Sequence, residues 1–209
     1  MIAPRNDNLN RVLYTIEFYP EEGKYHYSGH RNCNVTMTPD EQRTTQGICP
    51  VCKRHVTDGV MRRVQELAGE DPRAKIKLNE KKLKWYLDPR GKHPPYVKIV
   101  PLLEIIAEAV GTQVTSMKVK DVFNTLVHEV GSELDILLKT PVENIAKAGG
   151  EKVAAGVQKV REGNIVIQPG YDGVFGVVKI WHEAKEKVPE ETQTATTPEE
   201  NKTQLGLEF

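Results

Sequence analysis

Residues 23–52 read GKYHYSGHRNCNVTMTPDEQRTTQGICPVC, and within them His30-x-x-Cys33 and Cys49-x-x-Cys52 decide the character of the first third of the chain. The two pairs share one internal spacing and are separated by fifteen residues. A two-residue gap lets both ligands of a knuckle face one tetrahedral ion, and two knuckles complete its shell. Pro39 and Gly47 between the pairs, and Pro50 inside the second, suit tight backbone reversals. A closed four-ligand site holds structure together and does not activate water. The expectation is therefore a structural Zn2+ on His30, Cys33, Cys49 and Cys52. Free thiols of a reduced protein are one alternative, and a redox dithiol is another, although no βαβ context is evident. His26 and His55 compete in sequence for the fourth position; His30 is favoured because it alone reproduces the x-x spacing.

Composition narrows the class without choosing a function. A chain of 209 residues makes one domain or two small ones with a real core. Its apolar content of 38% is modest, and the shortfall lies mainly in the carboxy-terminal tail. No apolar run is long enough to span a bilayer and no charged-then-apolar leader is recognisable, so a cytoplasmic location and no membrane partner are expected. Formal charge sums to zero, but thirteen Lys/Arg face six Asp/Glu between Lys53 and Val100. From Pro101 to Gly150 the balance is four against seven, and from Glu183 to Phe209 three against seven. The basic stretch beside the knuckles is either a phosphate-binding surface or a solvated, lysine-rich loop.

The fold class read from the chain is α+β: a small β-rich zinc-binding module, then a mainly helical domain closed by a β-hairpin. Arg11 to Tyr19 alternates as a strand with Val12, Tyr14, Ile16 and Phe18 on one face, and Lys24 to Ser28 is the candidate returning strand. Thr57 or Asp58 caps a helix carrying Val60, Val64, Leu67 and Ala68 at helical spacing, with Arg62 and Arg63 on its polar side. Residues 71–98 read as a basic loop in which Trp85 and Tyr86 sit among lysines. Interleaved aromatics and cations can hold a nucleic-acid strand, but an ordinary loop anchored by two aromatics is the simpler reading. Helices follow from Pro101 to Gly111 and from Ser116 through a stripe of Val119, Val122, Phe123, Leu126, Val127 and Val130. Ser132 opens a short helix, Thr140-Pro-Val-Glu143 forms a capping box, and Gly149-Gly150 interrupts before a helix ending near Gly163. Ile165 to Trp181 reads as a hairpin with Tyr171 and Asp172 at its tip, candidate contact residues.

Five ordered motifs carry a family resemblance: GKYHYSGHRNC (Gly23 to Cys33), ICPVC (Ile48 to Cys52), TDGVMRRVQELA (Thr57 to Ala68), VPLLEIIAEAV (Val100 to Val110) and PGYDGVFG (Pro169 to Gly176). Together they closely resemble the carboxy-terminal half of archaeal endonuclease Q over about residues 10 to 181. The resemblance implies a DNA repair enzyme that nicks 5′ of deaminated bases such as uracil and hypoxanthine, and at abasic sites. It also implies a preceding catalytic domain of the polymerase-and-histidinol-phosphatase type, which holds the catalytic divalent metals. No equivalent histidine- and acid-rich centre is found here, so the expectation is lesion recognition without cutting by this chain alone. The implied organisation is a linker remnant from the missing catalytic domain at 1–10, a zinc module with its following helix at 11–70, the basic loop at 71–98, a helical domain with terminal hairpin at 99–182, and a disordered acidic tail at 183–209.

Base extraction from the stack costs a few kcal/mol and favours mispaired lesions. Within the implied role, Lys24 and Arg31 flank the histidine-containing turn as candidates for phosphate or base contact. Arg62 and Arg63 would position the backbone of damaged double-stranded DNA, and Tyr171 and Asp172 complete the nucleic-acid set. The tail ends in Gln204-Leu-Gly-Leu207-Glu-Phe209, which resembles a sliding-clamp-binding motif through Gln204, Leu207 and Phe209, with a single aromatic at altered spacing. The expected partners are damaged DNA, a catalytic domain or subunit of the polymerase-and-histidinol-phosphatase type, and the clamp. The competing class is a zinc-dependent protein adaptor that does not bind DNA.

Overall fold

Eight of the thirteen prolines fall before residue 100, where the elements are short. The computed structural model describes residues 12–68 and 74–181. The proposed linker at 1–10, the acidic tail and the clamp motif at Gln204, Leu207 and Phe209 lie outside the described residues. Strands β2 (Ser28–His30) and β3 (Val35–Met37) pair antiparallel, with Ser28 opposite Met37. Helix α1 (Pro39–Thr44) begins with a capping box of Thr38 and Glu41, and α2 (Val60–Ala68) follows the second knuckle. A four-stranded sheet ordered β1-β6-β5-β4 joins β1 (Thr15–Glu17), β4 (Lys75–Leu78), β5 (Lys84–Leu87) and β6 (Tyr96–Lys98). Only the β1–β6 pairing in it is parallel.

Helices α3 (Leu102–Val110), α4 (Met117–Glu129), α5 (Glu133–Leu138), α6 (Val142–Gly149) and α7 (Glu151–Glu162) make the helical domain, and β7 (Val166–Gln168) pairs with β8 (Val177–Lys179) as the closing hairpin. The α+β class stands. Leu102, Ile105, Ile106, Leu126, Ile136, Ile145 and Val157 are fully buried in one core that reaches Val97 of the sheet. The Cys/His region has a separate small nucleus of Met37, Cys49 and Val56, with Cys33, Val35 and Cys52 packed against it. Among the described residues no helix is long and apolar enough to cross a membrane.

Residues 75–98 supply three sheet strands rather than an irregular loop, because Trp85 and Val97 supply a face that packs on the core. The face proposed for the first strand is not a core face: Val12, Tyr14 and Phe18 are exposed and Ile16 alone packs on the core. The strand runs three residues along a sheet edge before Pro20 turns the chain, which buries Tyr19 instead. No strand at 24–28 returns onto β1: 24–26 are taken up in a turn closed by the His26 amide on the Gly23 carbonyl, and β2 from Ser28 pairs with β3 in a separate two-stranded sheet. The start of α2 is satisfied by backbone: Val60 and Met61 amides donate to the Tyr25 and His26 carbonyls. The capping box at Thr140 does not form, because the Thr140 hydroxyl donates to the Asp135 carbonyl and Pro141 takes the cap position.

Arg161 is 2% exposed and has its guanidinium turned onto the last turn of α5. It donates to the carbonyls of Leu137, Ile136 and Thr140 at 2.9, 2.8 and 2.7 Å. These carbonyls lack helical partners, so the cation satisfies groups that water cannot reach. Burial lowers the Arg161 pKa from its ordinary value. Arg161→Met keeps much of the volume but orphans those acceptors, and is expected to cost about 3 kcal/mol in denaturant unfolding.

Candidate metal centre and the loop that clasps it

His30 closes β2 and a single helical turn, Arg31–Cys33, presents Cys33 beside it. Asn34 then takes a left-handed conformation at φ 51°, which sends the chain into β3. The second knuckle repeats the logic: the Lys53 amide donates to the Cys49 carbonyl at 3.0 Å, and Lys53 is left-handed at φ 61°. These reversals bring the ligand atoms of His30, Cys33, Cys49 and Cys52 within 4.8 Å of one another, and the four can hold a metal ion. Nδ1 of His30 lies 3.2 Å from Sγ of Cys52. A tetrahedral ion with Zn–S near ~2.3 Å and Zn–N near ~2.0 Å needs a spread of this kind. Amide donation from Cys52 leads the effects that draw the Cys49 thiol down to about 6, while desolvation leads those that push Cys33 up to about 11.

His26 is not the fourth donor. It is buried, its ring lies 4.7 Å from that of Tyr27, and desolvation lowers its pKa. His55 is exposed and also outside the cluster.

The PGYDGVFG segment is not a free hairpin tip. The Gly170 amide donates to the Glu21 carbonyl at 2.8 Å, the Gly173 amide to Lys24 at 2.9 Å and the Gly176 amide to Glu22 at 2.9 Å. In return the Tyr27 amide donates to the Gly170 carbonyl at 3.0 Å. A Cβ on Gly170 would meet the Gly23 carbonyl oxygen, and one on Gly176 the Glu21 carbonyl oxygen, so only glycine permits this approach. Tyr171 donates its hydroxyl to Asn34 Oδ1 at 2.8 Å. Asp172 accepts from the Arg31 amide at 2.7 Å and the Thr57 hydroxyl at 2.5 Å. Burial works upward on the Asp172 carboxyl, but these two donors and the nearby Arg31 and His30 hold it below its ordinary value. Tyr171 and Asp172 thus fasten the metal module to the helical domain.

The clasp gathers a surface that the sequence revealed only in part. Lys24 and Arg31 are both exposed beside it. Lys24 Nζ stands 5.8 Å from the centroid of Tyr25 and 5.4 Å from that of Phe175. A Cβ on Gly173 would lie 3.5 Å from an Arg31 guanidinium nitrogen and 3.6 Å from the Tyr25 hydroxyl, which places these groups together. Phe175 is 69% exposed, and its signal in sequence was an aromatic in a glycine-rich turn. Arg62 and Arg63 lie elsewhere on the module, exposed but already partnered. Arg62 pairs with Asp58 and with Glu66, and Arg63 with Glu66 at 3.0 Å. Exposed pairs of this kind are worth less than about 1 kcal/mol, so a phosphate can displace them.

Residues 101–164 match the family model for the MJ0043 C-terminal domain. The crystal structure of PfuEndoQ, a lesion-specific endonuclease from Pyrococcus furiosus, superposes with a TM-score of 0.64 and 28% identity over 88% of this chain and 42% of that one. A second endonuclease Q structure, in complex with a 27-mer duplex bearing an abasic lesion, gives 0.60 and 30% identity over 81% of this chain and 38% of that one. The chain resembles the carboxy-terminal half of endonuclease Q. An uncharacterized protein of Methanocaldococcus jannaschii, MJ0043, is 25% identical over 169 residues, 81% of this chain and 20% of its own length. The chain thus spans about two fifths of the endonuclease Q structures and a fifth of that relative. Its architecture is that of the corresponding portion of endonuclease Q, with a Cys/His site that could hold a metal ion.

Proposed function

We propose that this chain is the DNA-binding, lesion-recognising portion of an endonuclease Q-like repair enzyme that nicks 5′ of deaminated bases and abasic sites. The observation that carries the reading is the cluster of Lys24, Arg31, Tyr25 and Phe175 beside the metal centre, in a fold shared with a lesion-specific endonuclease. In this reading Zn2+ on His30, Cys33, Cys49 and Cys52 is structural: it sets the turn from which Arg31 projects. Lys24 and Arg31 engage phosphates, and Phe175 or Tyr25 packs against the gap left by an extruded base. Catalysis belongs to a partner domain of the polymerase-and-histidinol-phosphatase type with its own divalent metals, and this chain alone leaves DNA uncut.

The test is a mobility shift with a uracil-containing duplex against its undamaged counterpart. Preference for the lesion duplex, lost in K24E/R31E with zinc content retained, is the expected result. Equal or absent binding to both duplexes would exclude it. Separately, reversing Arg62 and Arg63 should flatten the plot of log affinity against log salt by about 2, since each phosphate contact contributes about 0.9. An unchanged slope removes those arginines from the interface.

The adaptor reading is favoured by one observation. Val60, Val64 and Leu67 on α2 are 60%, 45% and 70% exposed, an apolar stripe open to solvent. Such a stripe suits a protein partner. It is compatible with the proposed catalytic partner as well, and failure to bind either duplex would leave the adaptor as the better account. Clamp binding through Gln204, Leu207 and Phe209 is a separate proposal, tested by deleting the last six residues and measuring clamp capture.

A further inference from the structure

Strand β4 overhangs the core. All four of its residues are exposed, including Ile76 at 58% and Leu78 at 53%. Because Lys75 pairs with Leu87 and Lys77 with Trp85, these four side chains share the face that continues inward to Val97. The overhang leaves a groove of about 580 Å3 against the carboxy-terminal end of α5. Trp85, Leu87 and Leu138 provide its apolar lining, and Lys77, Lys81 and Lys139 its cations, against Glu80 as the one acid. Lys139 is held by Asp135 at 2.8 Å, whereas Lys77 and Lys81 have no ion-pair partner among the described residues. The Trp85 ring is set by the edge of Tyr14 at 5.2 Å and 77°.

We propose that this groove holds a single-stranded nucleic-acid segment, with an unpaired base against Trp85 and its phosphates on Lys77 and Lys81. Cations around an indole suit a strand whose bases are free to stack, and such stacking is sequence-tolerant. A duplex keeps its bases in their own stack and would engage the lysines alone. The volume lies in the range that takes a nucleotide-sized ligand. The groove uses elements other than the metal centre, and the choice of nucleic acid over another polyanion rests on the function proposed above.

Trp85 and Trp181 are the two tryptophans of the chain, so a W181F variant reports Trp85 alone. Titration of that variant with a short oligothymidylate at low salt should quench Trp85 emission saturably. K77E/K81E, at two exposed positions, should keep the melting temperature and weaken the binding about tenfold. No saturable quenching, quenching unaffected by K77E/K81E, or equal quenching by heparin or by a perfect duplex would each overturn the groove proposal. K24E/R31E separates the two readings. Loss of lesion preference with quenching intact supports both sites as distinct. Absence of lesion preference in the wild-type chain, together with the specific quenching in W181F, defeats the earlier reading and leaves this one standing.

Discussion

Cys49→Ala is expected to strip the chain of stoichiometric zinc and unfold the segment from about residue 20 to residue 57, while α3 to α7 remain folded. Cys49 is 0% exposed and sits in a small apolar nucleus with Met37 and Val56, against which Cys33, Val35 and Cys52 pack. That nucleus is far too small to order its surroundings. A structural zinc site contributes apparent binding free energy of about 10 kcal/mol or more, which is comparable to the whole stability of a small domain. The helical core is a separate cluster and does not draw on Cys49. Elemental analysis and limited proteolysis read the outcome: zinc falls to background and new cleavage appears between Cys33 and Cys49. Wild-type zinc content in the variant, or an unaltered digestion pattern after zinc loss, would exclude the metal clip.

Gly176→Val is expected to break the clasp and lower stability by about 3 kcal/mol, a fall in Tm of roughly 10 °C. The Gly176 amide is bonded to the Glu22 carbonyl, and any Cβ there collides with the Glu21 carbonyl oxygen, a backbone atom that cannot rotate away. The metal module should then unfold separately from the helical domain, visible as a second transition in denaturant. A single transition at the wild-type midpoint would show that the loop is not what joins the two. The clasp should also be acid-sensitive. Asp172 has its folded-state pKa depressed below the ordinary ~3.9 of the unfolded chain. Its contribution is therefore complete above that value and disappears as pH falls through the lower, folded-state value. Asp172→Asn removes this acid dependence.

What could be read in the residues and what could not divides along a physical line. The metal site was legible because ligand spacing is a local property: a two-residue gap positions two donors whatever the remainder of the chain does. Helices α3 to α7 were legible because Ser116 and Ser132 cap their own helices and apolar positions recur at helical period. The basic sheet was missed since three- and four-residue strands carry too little periodicity to separate them from a loop. Their order, β1-β6-β5-β4, depends on partners far away in sequence. For the same reason the sequence did not reveal what Tyr171 and Asp172 hold within the protein. Their partners, Asn34, Arg31 and Thr57, lie more than a hundred residues upstream.

By itself, the chain's residue order determined the knuckle pairs, the helical caps and stripes, the glycines at 170 and 176, and the likeness to endonuclease Q. Only the tertiary structure decided that His30 rather than His26 faces the cysteines, that the glycine-rich loop is a clasp, and that Lys24, Arg31 and Phe175 converge on one surface. Short-range geometry is encoded in neighbouring residues, whereas convergence depends on which distant backbone groups find each other once water is excluded.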